Sequence, residues 1–351
     1  MRRYISALMH DERRGTVDAL PKALLWMLSV VYGLFMRGRN LAYDRGWKPS
    51  SDVGVPVISV GNITMGGAGK TPLVVYIARE IVRAGGKPVV LLRGYMQQDR
   101  SATDSDEAEV IRRKVPGIDV ITGADRVGRA RDYLKQAQCD VFILDDAFQH
   151  RKIKRRLDIV VIDALNPFGN GQVIPRGILR EPLGGLGRAD LTVVTRTDLN
   201  AGALPEIENT LKTRGRQSSS IHSVHRAEGF VNLKSGERRD VNGFAGNPAV
   251  AFCGLGNPDG FRRTLEALRV DLRHFVAFED HHRYTAGDFQ MLTSQAAESD
   301  TKVLLTTLKD AVKLTAIKGL PLDRIYYLDI GIEITHGKDE LTDRIHSVLR
   351  G

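Results

Sequence analysis

A run of β-branched residues empties into a glycine-rich turn at Val55-Pro-Val-Ile-Ser-Val-Gly-Asn-Ile-Thr-Met-Gly-Gly-Ala-Gly-Lys-Thr-Pro72. No other stretch of the chain restricts the fold so tightly. Glycines let a backbone come close to a phosphate chain with its N–H groups turned inward. The layout is that of a P-loop, with Thr64, Met65, Gly66, Gly67, Ala68, Gly69, Lys70 and Thr71 as the phosphate-binding turn. Lys70 then reaches the β- and γ-phosphates, and the Thr71 hydroxyl holds Mg²⁺. Thr64 stands where glycine is usual five residues before Gly69, and Gly61, Gly66 and Gly67 supply freedom around it. A helix over Leu73 to Ala84 completes a strand–loop–helix unit.

A chain of 351 residues is long enough for two domains with real cores. Its net charge of +9 is uneven: residues 1–50 hold nine Lys/Arg against four Asp/Glu. Such a basic end suits an anionic membrane surface or nucleic acid. Only two cysteines occur, Cys139 and Cys253, far apart. Neither a disulfide framework nor a zinc site follows, and a reducing cytosol is the natural compartment. The stretch Ala23–Met36 is uncharged and is followed by Arg37 and Arg39. As a helix it covers roughly 21 Å, short of a ~30 Å hydrocarbon core. It reads as a segment dipping into a membrane face, with Trp26 and Tyr32 near the interface, or as a helix packed on the protein's own core.

Beyond residue 50, short Val/Ile/Leu-rich strands alternate with helices: Val55–Val60, Pro88–Leu92, Asp119–Thr122, Asp140–Leu144, Asp158–Asp163 and Asp190–Thr195. That rhythm predicts a doubly wound α/β domain with a parallel sheet. Residues 229–241 read as a hairpin turning at Ser235-Gly236. A second α/β unit follows, with strands near Ala249–Cys253, Val303–Thr307 and Ile325–Leu328. The expected division is therefore a helical membrane-associated segment (1–50), a P-loop domain (51–216), a two-stranded ribbon (217–246) and a smaller C-terminal α/β domain (247–351).

Val141-Phe-Ile-Leu-Asp-Asp146 is the second phosphate signal. Four apolar residues ending in acid deliver carboxylates to the sheet's carboxyl edge, where a Walker B aspartate holds Mg²⁺. The basic loop Ala147–Arg156 follows at once.

These motifs, with Leu92-Arg-Gly-Tyr95, Ser105-Asp-Glu107, Ala124-Asp-Arg126, Ile143–Arg151, Leu179-Arg-Glu-Pro-Leu183, Phe252–Pro258, Phe278-Glu-Asp-His281 and Lys309–Lys313, resemble the tetraacyldisaccharide 4′-kinase (LpxK) family over nearly the whole chain. The resemblance implies ATP- and Mg²⁺-dependent phosphorylation of the 4′-hydroxyl of a tetraacylated glucosamine disaccharide 1-phosphate. It implies a single chain acting at the cytoplasmic face of the bacterial inner membrane, held there by the N-terminal hydrophobic helix. It assigns Asp106 as the base and His281 as its partner from the second domain, and a site split between two domains joined by a thin ribbon needs closure to assemble. It places Asp145, Asp146, Arg180 and Glu181 at the Mg-ATP site, with Thr71, Asp145, Asp146 and Glu181 near the metal. Arg126 is implied to steady charge on the transferred group, and Arg93, Tyr95, Glu107 and Gln149 to lie near the substrate. Ser105, Ala108, Ala147 and Glu279 differ from the family's usual residues.

Two other classes bear on the same residues. Thr195-Arg-Thr-Asp198 faintly resembles a guanine-reading motif, which keeps a GTPase or metallochaperone-type NTPase as the alternative. Cys/His clusters for a metal cargo are lacking. Against a nucleic-acid-binding ATPase, the chain lacks the aromatic residues interleaved along a basic face that such proteins use. Gly254-Leu-Gly-Asn-Pro-Asp-Gly260 misses the dinucleotide spacing and reads as a βα turn.

Overall fold

The structure is a computed structural model and describes residues 2–13, 15–94, 106–215, 220–256, 258–279, 282–315, 317 and 319–350. In its first part the chain forms α1 (Arg2–Met9), α2 (Ala19–Asp44), β1 (Val57–Asn62), α3 (Lys70–Arg83), β2 (Pro88–Leu92), α4 (Asp106–Lys114), β3 (Asp119–Thr122), α5 (Arg126–Leu134), β4 (Val141–Leu144), β5 (Leu157–Asp163), β6 (Leu191–Thr195) and α6 (Leu204–Arg214). The remainder forms β7 (Ile221–Asn232), β8 (Arg238–Arg239), β9 (Pro248–Cys253), α7 (Pro258–Ala267), β10 (Asp271–Ala277), α8 (Ala286–Glu298), β11 (Leu304–Thr307), α9 (Leu308–Leu314), β12 (Ile325–His336) and α10 (Lys338–Leu349). Two compact units result: Met1–Ala102, Val115–Val224 and Glu333–Gly351 make one, and Thr103–Lys114 with His225–Ile332 make the other. The chain passes from one to the other on either side of α4, and again within β7 and β12.

In the first unit the strands lie in the order β7-β6-β5-β1-β4-β2-β3, all parallel. Strands β1, β2 and β4 are buried along their whole length, as apolar runs in a covered parallel sheet should be. The register pairs Ser59 with Leu144. The turn after β1 and the acids after β4 therefore leave the sheet at the same carboxyl edge, where doubly wound sheets bind ligands. Helix α3 buries Leu73, Val74, Ile77, Ala78 and Ile81, a helical spacing that lays it on the sheet. It ends where Gly85 takes the left-handed conformation (φ 83°). Helix α10, from the far end of the chain, packs beside α3.

Helix α2 extends well past the apolar stretch that announces it, and its 26 residues span roughly 39 Å. Its faces are reversed relative to an ordinary surface helix. Ser29, Tyr32, Gly33, Met36, Arg39 and Asn40 turn inward, while Leu24, Trp26, Met27, Leu28, Val31, Leu34 and Phe35 are exposed. Ser29 Oγ donates to the Val173 carbonyl at 2.8 Å and accepts from the Arg176 N–H at 2.8 Å. The inward stripe is thus fixed by polar bonds. At the head of the helix, Asp11 is bonded by Lys22, Arg176 and Asn170.

The second unit has its own parallel strands, in the order β10-β9-β11-β12. The hairpin expected at residues 229–241 is present, with Phe230 opposite Arg239 and Gly236 at φ 72°. Strand β10 has no counterpart in the sequence reading. Helix α4 differs in placement from the sequence-based boundaries. It belongs with α9, burying Ala108 and Ile111, while Lys114 pairs with Glu228 at 3.0 Å and with Asp329. Residues 333–351, expected in the C-terminal domain, belong to the first unit.

Candidate active site

The turn after β1 is locked on both sides. Thr64 forms an antiparallel bridge with Leu179. The Met65 N–H donates to the Ile178 carbonyl at 2.7 Å, and Arg180 N–H donates to Ile63 at 2.8 Å. Thr64 therefore sits in extended backbone, where glycine has no advantage. Glycine is required at Gly66 (φ 104°) and Gly69 (φ 79°), the latter directly preceding α3. A Cβ at Gly66 or Gly67 would meet open space. From the other side, Thr195 Oγ1 donates to the Ala68 carbonyl at 2.9 Å and Arg196 Nη2 to the Gly67 carbonyl at 2.8 Å. The Thr-Arg-Thr-Asp segment after β6 thus clamps the outside of the loop.

Lys70 and Thr71 open α3 and meet the acids after β4. Lys70 Nζ donates to Asn62 Oδ1 at 3.2 Å and lies 3.3 Å from Asp146 Oδ1. Thr71 Oγ1 donates to Asp145 Oδ2 at 3.2 Å. The turn that presents the acids is itself held: Asp146 has φ 49°, and its N–H donates to Asp145 Oδ1 at 2.7 Å. Arg180 Nη1 donates to Asp146 Oδ1 at 2.7 Å. The two carboxyls diverge electrostatically. Burial pushes Asp145 above its ordinary value despite Lys70, whereas at Asp146 the charges of Lys70 and Arg180 outweigh burial and hold it below.

Arg126 opens α5, is 2% exposed, and lies behind the same turn. Its Nη2 donates to the Asp145 carbonyl at 2.6 Å and its Nη1 to that of Asp146 at 3.5 Å. Burial lowers its guanidinium to about 10 against the pull of Asp145 and Asp146, so it stays cationic at neutral pH.

Glu181 is wholly buried. Its carboxylate accepts from Asn40 Nδ2 at 2.7 Å, Gln149 Nε2 at 2.9 Å and Arg188 Nη2 at 2.8 Å. Gln149 Nε2 also donates to the Asn62 carbonyl at 2.9 Å, which joins this acid to the Lys70 partner. Among the described residues, no group of three or more His, Cys, Asp and Glu side chains gathers around a common point. The carboxyls of Asp145 and Asp146 and the Thr71 hydroxyl are the oxygen groups that meet beside Lys70. Tyr32, Thr195 and Arg196 join the site through bonds other than the interfacial and guanine-reading roles expected of them, and Asn62, Arg188 and Asn40 join it without a role assigned by the sequence reading. Only Asn62, inside the loop motif, carries a local signal.

Arg93 follows β2 directly and is exposed. Asp106 and Glu107 begin α4 in the second unit, half-buried. Asp106 Oδ2 lies 3.6 Å from Lys313 Nζ, which is 3.4 Å from Asp310 Oδ1. Asp310 is completely buried and accepts from the Thr307 hydroxyl at 2.7 Å and the Gly254 N–H at 3.1 Å. His282 Nε2 sits 3.1 Å from Asp288 Oδ2. Tyr95 and His281 lie outside the described residues.

A glycine-rich turn between a buried parallel strand and a Lys-Thr-initiated helix, facing acids on the neighbouring strand, defines a P-loop NTPase-like protein. Residues 21–350 match the family model described as tetraacyldisaccharide-1-P 4′-kinase (LpxK). The tetraacyldisaccharide 4′-kinase of Anaeromyxobacter dehalogenans (strain 2CP-C) is 36% identical, over 96% of this chain and 93% of that protein. That of Syntrophus aciditrophicus is 37% identical, over 87% and 88%. The crystal structure of an "apo" form of LpxK from Aquifex aeolicus in complex with ATP superposes with a TM-score of 0.74 at 25% identity, covering 93% of this chain and 99% of that one. The chain belongs to the tetraacyldisaccharide 4′-kinase family and is an enzyme of the transferase class.

Proposed function

We propose that this chain transfers the γ-phosphoryl group of ATP to the 4′-hydroxyl of tetraacyldisaccharide 1-phosphate, giving the 1,4′-bisphosphate. The observation that carries this is the meeting of Lys70, Thr71, Asp145 and Asp146 at one sheet edge, in a family whose matched structure is in complex with ATP. Two carboxylates and a hydroxyl are hard oxygen donors and fit Mg²⁺. The hydroxyl of Thr71 already rests on the Asp145 carboxylate with which it would share the ion. Mg²⁺, when bound, neutralises phosphate charge and orients the transferred group. The loop amides and Lys70 bind the phosphates. Arg180 and Lys70 keep Asp146 ionised, and Arg126 fixes the turn that aims both acids while adding positive charge beside them. Glu181 anchors the Arg180 segment and completes the acidic surroundings.

At the acceptor, Asp106 takes the 4′-hydroxyl proton as the new O–P bond forms and the β,γ-bridging O–P bond breaks. His281 supports Asp106, and Arg93, Tyr95, Glu107 and Gln149 serve the substrate side. The reversed faces of α2 support membrane attachment, and the lipid substrate places that attachment, in this reading, at the cytoplasmic face of the inner membrane. A helix that turns polar groups inward and Trp26, Leu28, Val31, Leu34 and Phe35 outward suits an interface with lipid. Transfer of ³²P from γ-labelled ATP to the lipid disaccharide in micelles tests the reading, with Lys70→Ala as control. Labelled bisphosphate made only by the parent supports it. Nucleotide hydrolysis without lipid labelling overturns it in favour of an NTPase of the GTPase or metallochaperone kind.

A further inference from the structure

Asn40 has no part in the chemistry above, yet it touches the nucleotide site directly. Its Nδ2 donates to Glu181 Oε2, while Gln149 and Arg188 both donate to Oε1. Among the described residues, Asn40 Oδ1 is buried without a hydrogen-bond partner, so Glu181 alone sets the orientation of the amide. A fully buried carboxylate keeps one orientation only while its donors hold it, and charge-assisted bonds are the strong ones. Gly185 preserves the space: a Cβ there would stand 2.6 Å from Glu181 Oε2.

The contact belongs to a series. From the same inward stripe, Tyr32 OH donates to the Arg180 carbonyl at 2.8 Å, and Arg39 donates to the Gln149 carbonyl. Three residues of one helix thus hold residues 149, 180 and 181. Arg180 holds Asp146, and Gln149 reaches Asn62, the partner of Lys70. The opposite face of this helix is the exposed apolar one. A surface that fixes α2 in its packed position favours the arrangement in which these bonds are formed, and a ligand shifts an equilibrium only through such differential affinity.

We propose that Asn40 is a positioning residue for Glu181, and that through it a lipid surface seated on α2 tightens nucleotide binding. The inference rests on the placement of Glu181 at the nucleotide site and of α2 against lipid. Linkage is reciprocal, so nucleotide tightens vesicle binding by the same factor.

The test measures affinity for a fluorescent ATP analogue with Mg²⁺, with and without phosphatidylethanolamine–phosphatidylglycerol vesicles, for the full chain, Asn40→Ala and Glu181→Gln. Vesicles are expected to tighten binding to the parent by about fivefold or more. Asn40→Ala is expected to weaken nucleotide about tenfold or more, to lose the vesicle response and still to pellet with vesicles. Should the alanine variant melt early, Asn40→Leu keeps the branched four-atom outline of the side chain and removes its amide. Equal nucleotide affinity of the parent with and without vesicles overturns the coupling. So does an Asn40→Ala protein that keeps the vesicle response. Weak binding by Glu181→Gln alongside parent-like Asn40→Ala overturns the inference and leaves the site intact. Parent-like binding by Glu181→Gln overturns the site placement itself, and the inference with it.

Discussion

Replacing Leu28, Val31, Leu34 and Phe35 together by glutamine tests the outward face of α2. These side chains are 58%, 67%, 59% and 64% exposed. Fully burying one such side chain is worth about 1.5–3 kcal/mol. With about three-fifths of each available to lipid, the four contribute about 4–7 kcal/mol of partitioning energy. At about 1.4 kcal/mol per decade, the variant should bind vesicles about 10³- to 10⁵-fold more weakly. Glutamine is a good helix former, and surface substitutions usually change stability by less than about 0.5 kcal/mol each, so the melting temperature should hold. Vesicle sedimentation over a lipid titration reads the partition constant, with calorimetry in parallel. Unchanged sedimentation with an unchanged melt would refute lipid as the partner of this face. A variant that unfolds would show that the face is covered by protein.

Other outcomes are accessible with single substitutions. Lys70→Ala should lower kcat about 10²-fold or more, because it removes a cation aimed at developing phosphate charge, and steady-state assays would show it. Lys313→Met should reduce kcat while nucleotide affinity in a direct titration stays unchanged, since Lys313 faces Asp106 and Asp310; weakened nucleotide binding would contradict that division. Gly61→Ala should destabilise by about 1–3 kcal/mol in denaturant unfolding, as its Cβ would stand 2.3 Å from the Phe148 amide nitrogen. Both thiols should resist alkylation at pH 8 until unfolding. They are buried, burial pushes Cys139 up to about 11 and Cys253 to about 12, and the thiolate is the reactive form.

The loop and its acids are legible because their signals are local. The strand, glycines, lysine and threonine are contiguous, and an apolar run ending in Asp145-Asp146 names its own position on a sheet edge. Strand β10 is illegible for a physical reason. It lies at the edge of its sheet and is half-exposed, so the polar Asp271, Arg273 and His274 leave only the short run from Phe275 to read. Helix α4 follows the P-loop strands in sequence, but its buried alanine and isoleucine pack with α9, a pairing that sequence order hides. For α2 the apolar content is visible. Which face turns outward is not, because Asn40 and Tyr32 find their partners some 140 residues away, at Glu181 and Arg180. Thr195-Arg-Thr-Asp198 looks like a base reader, whereas its first two side chains grip the carbonyls of Ala68 and Gly67.

Helix α10 has a consequence for how the chain matures. It buries Leu341, Ile345 and Val348, and the Leu349 side chain comes within 3.5 Å of a Cβ built at Gly86, just past the end of α3. A helix made some 270 residues later therefore covers the helix that begins with Lys70. Until α10 has been synthesised, the P-loop unit carries an uncovered apolar flank, open to chaperones and proteases. A stop codon ahead of α10 would leave that flank bare for good, far in sequence from Lys70 and Thr71.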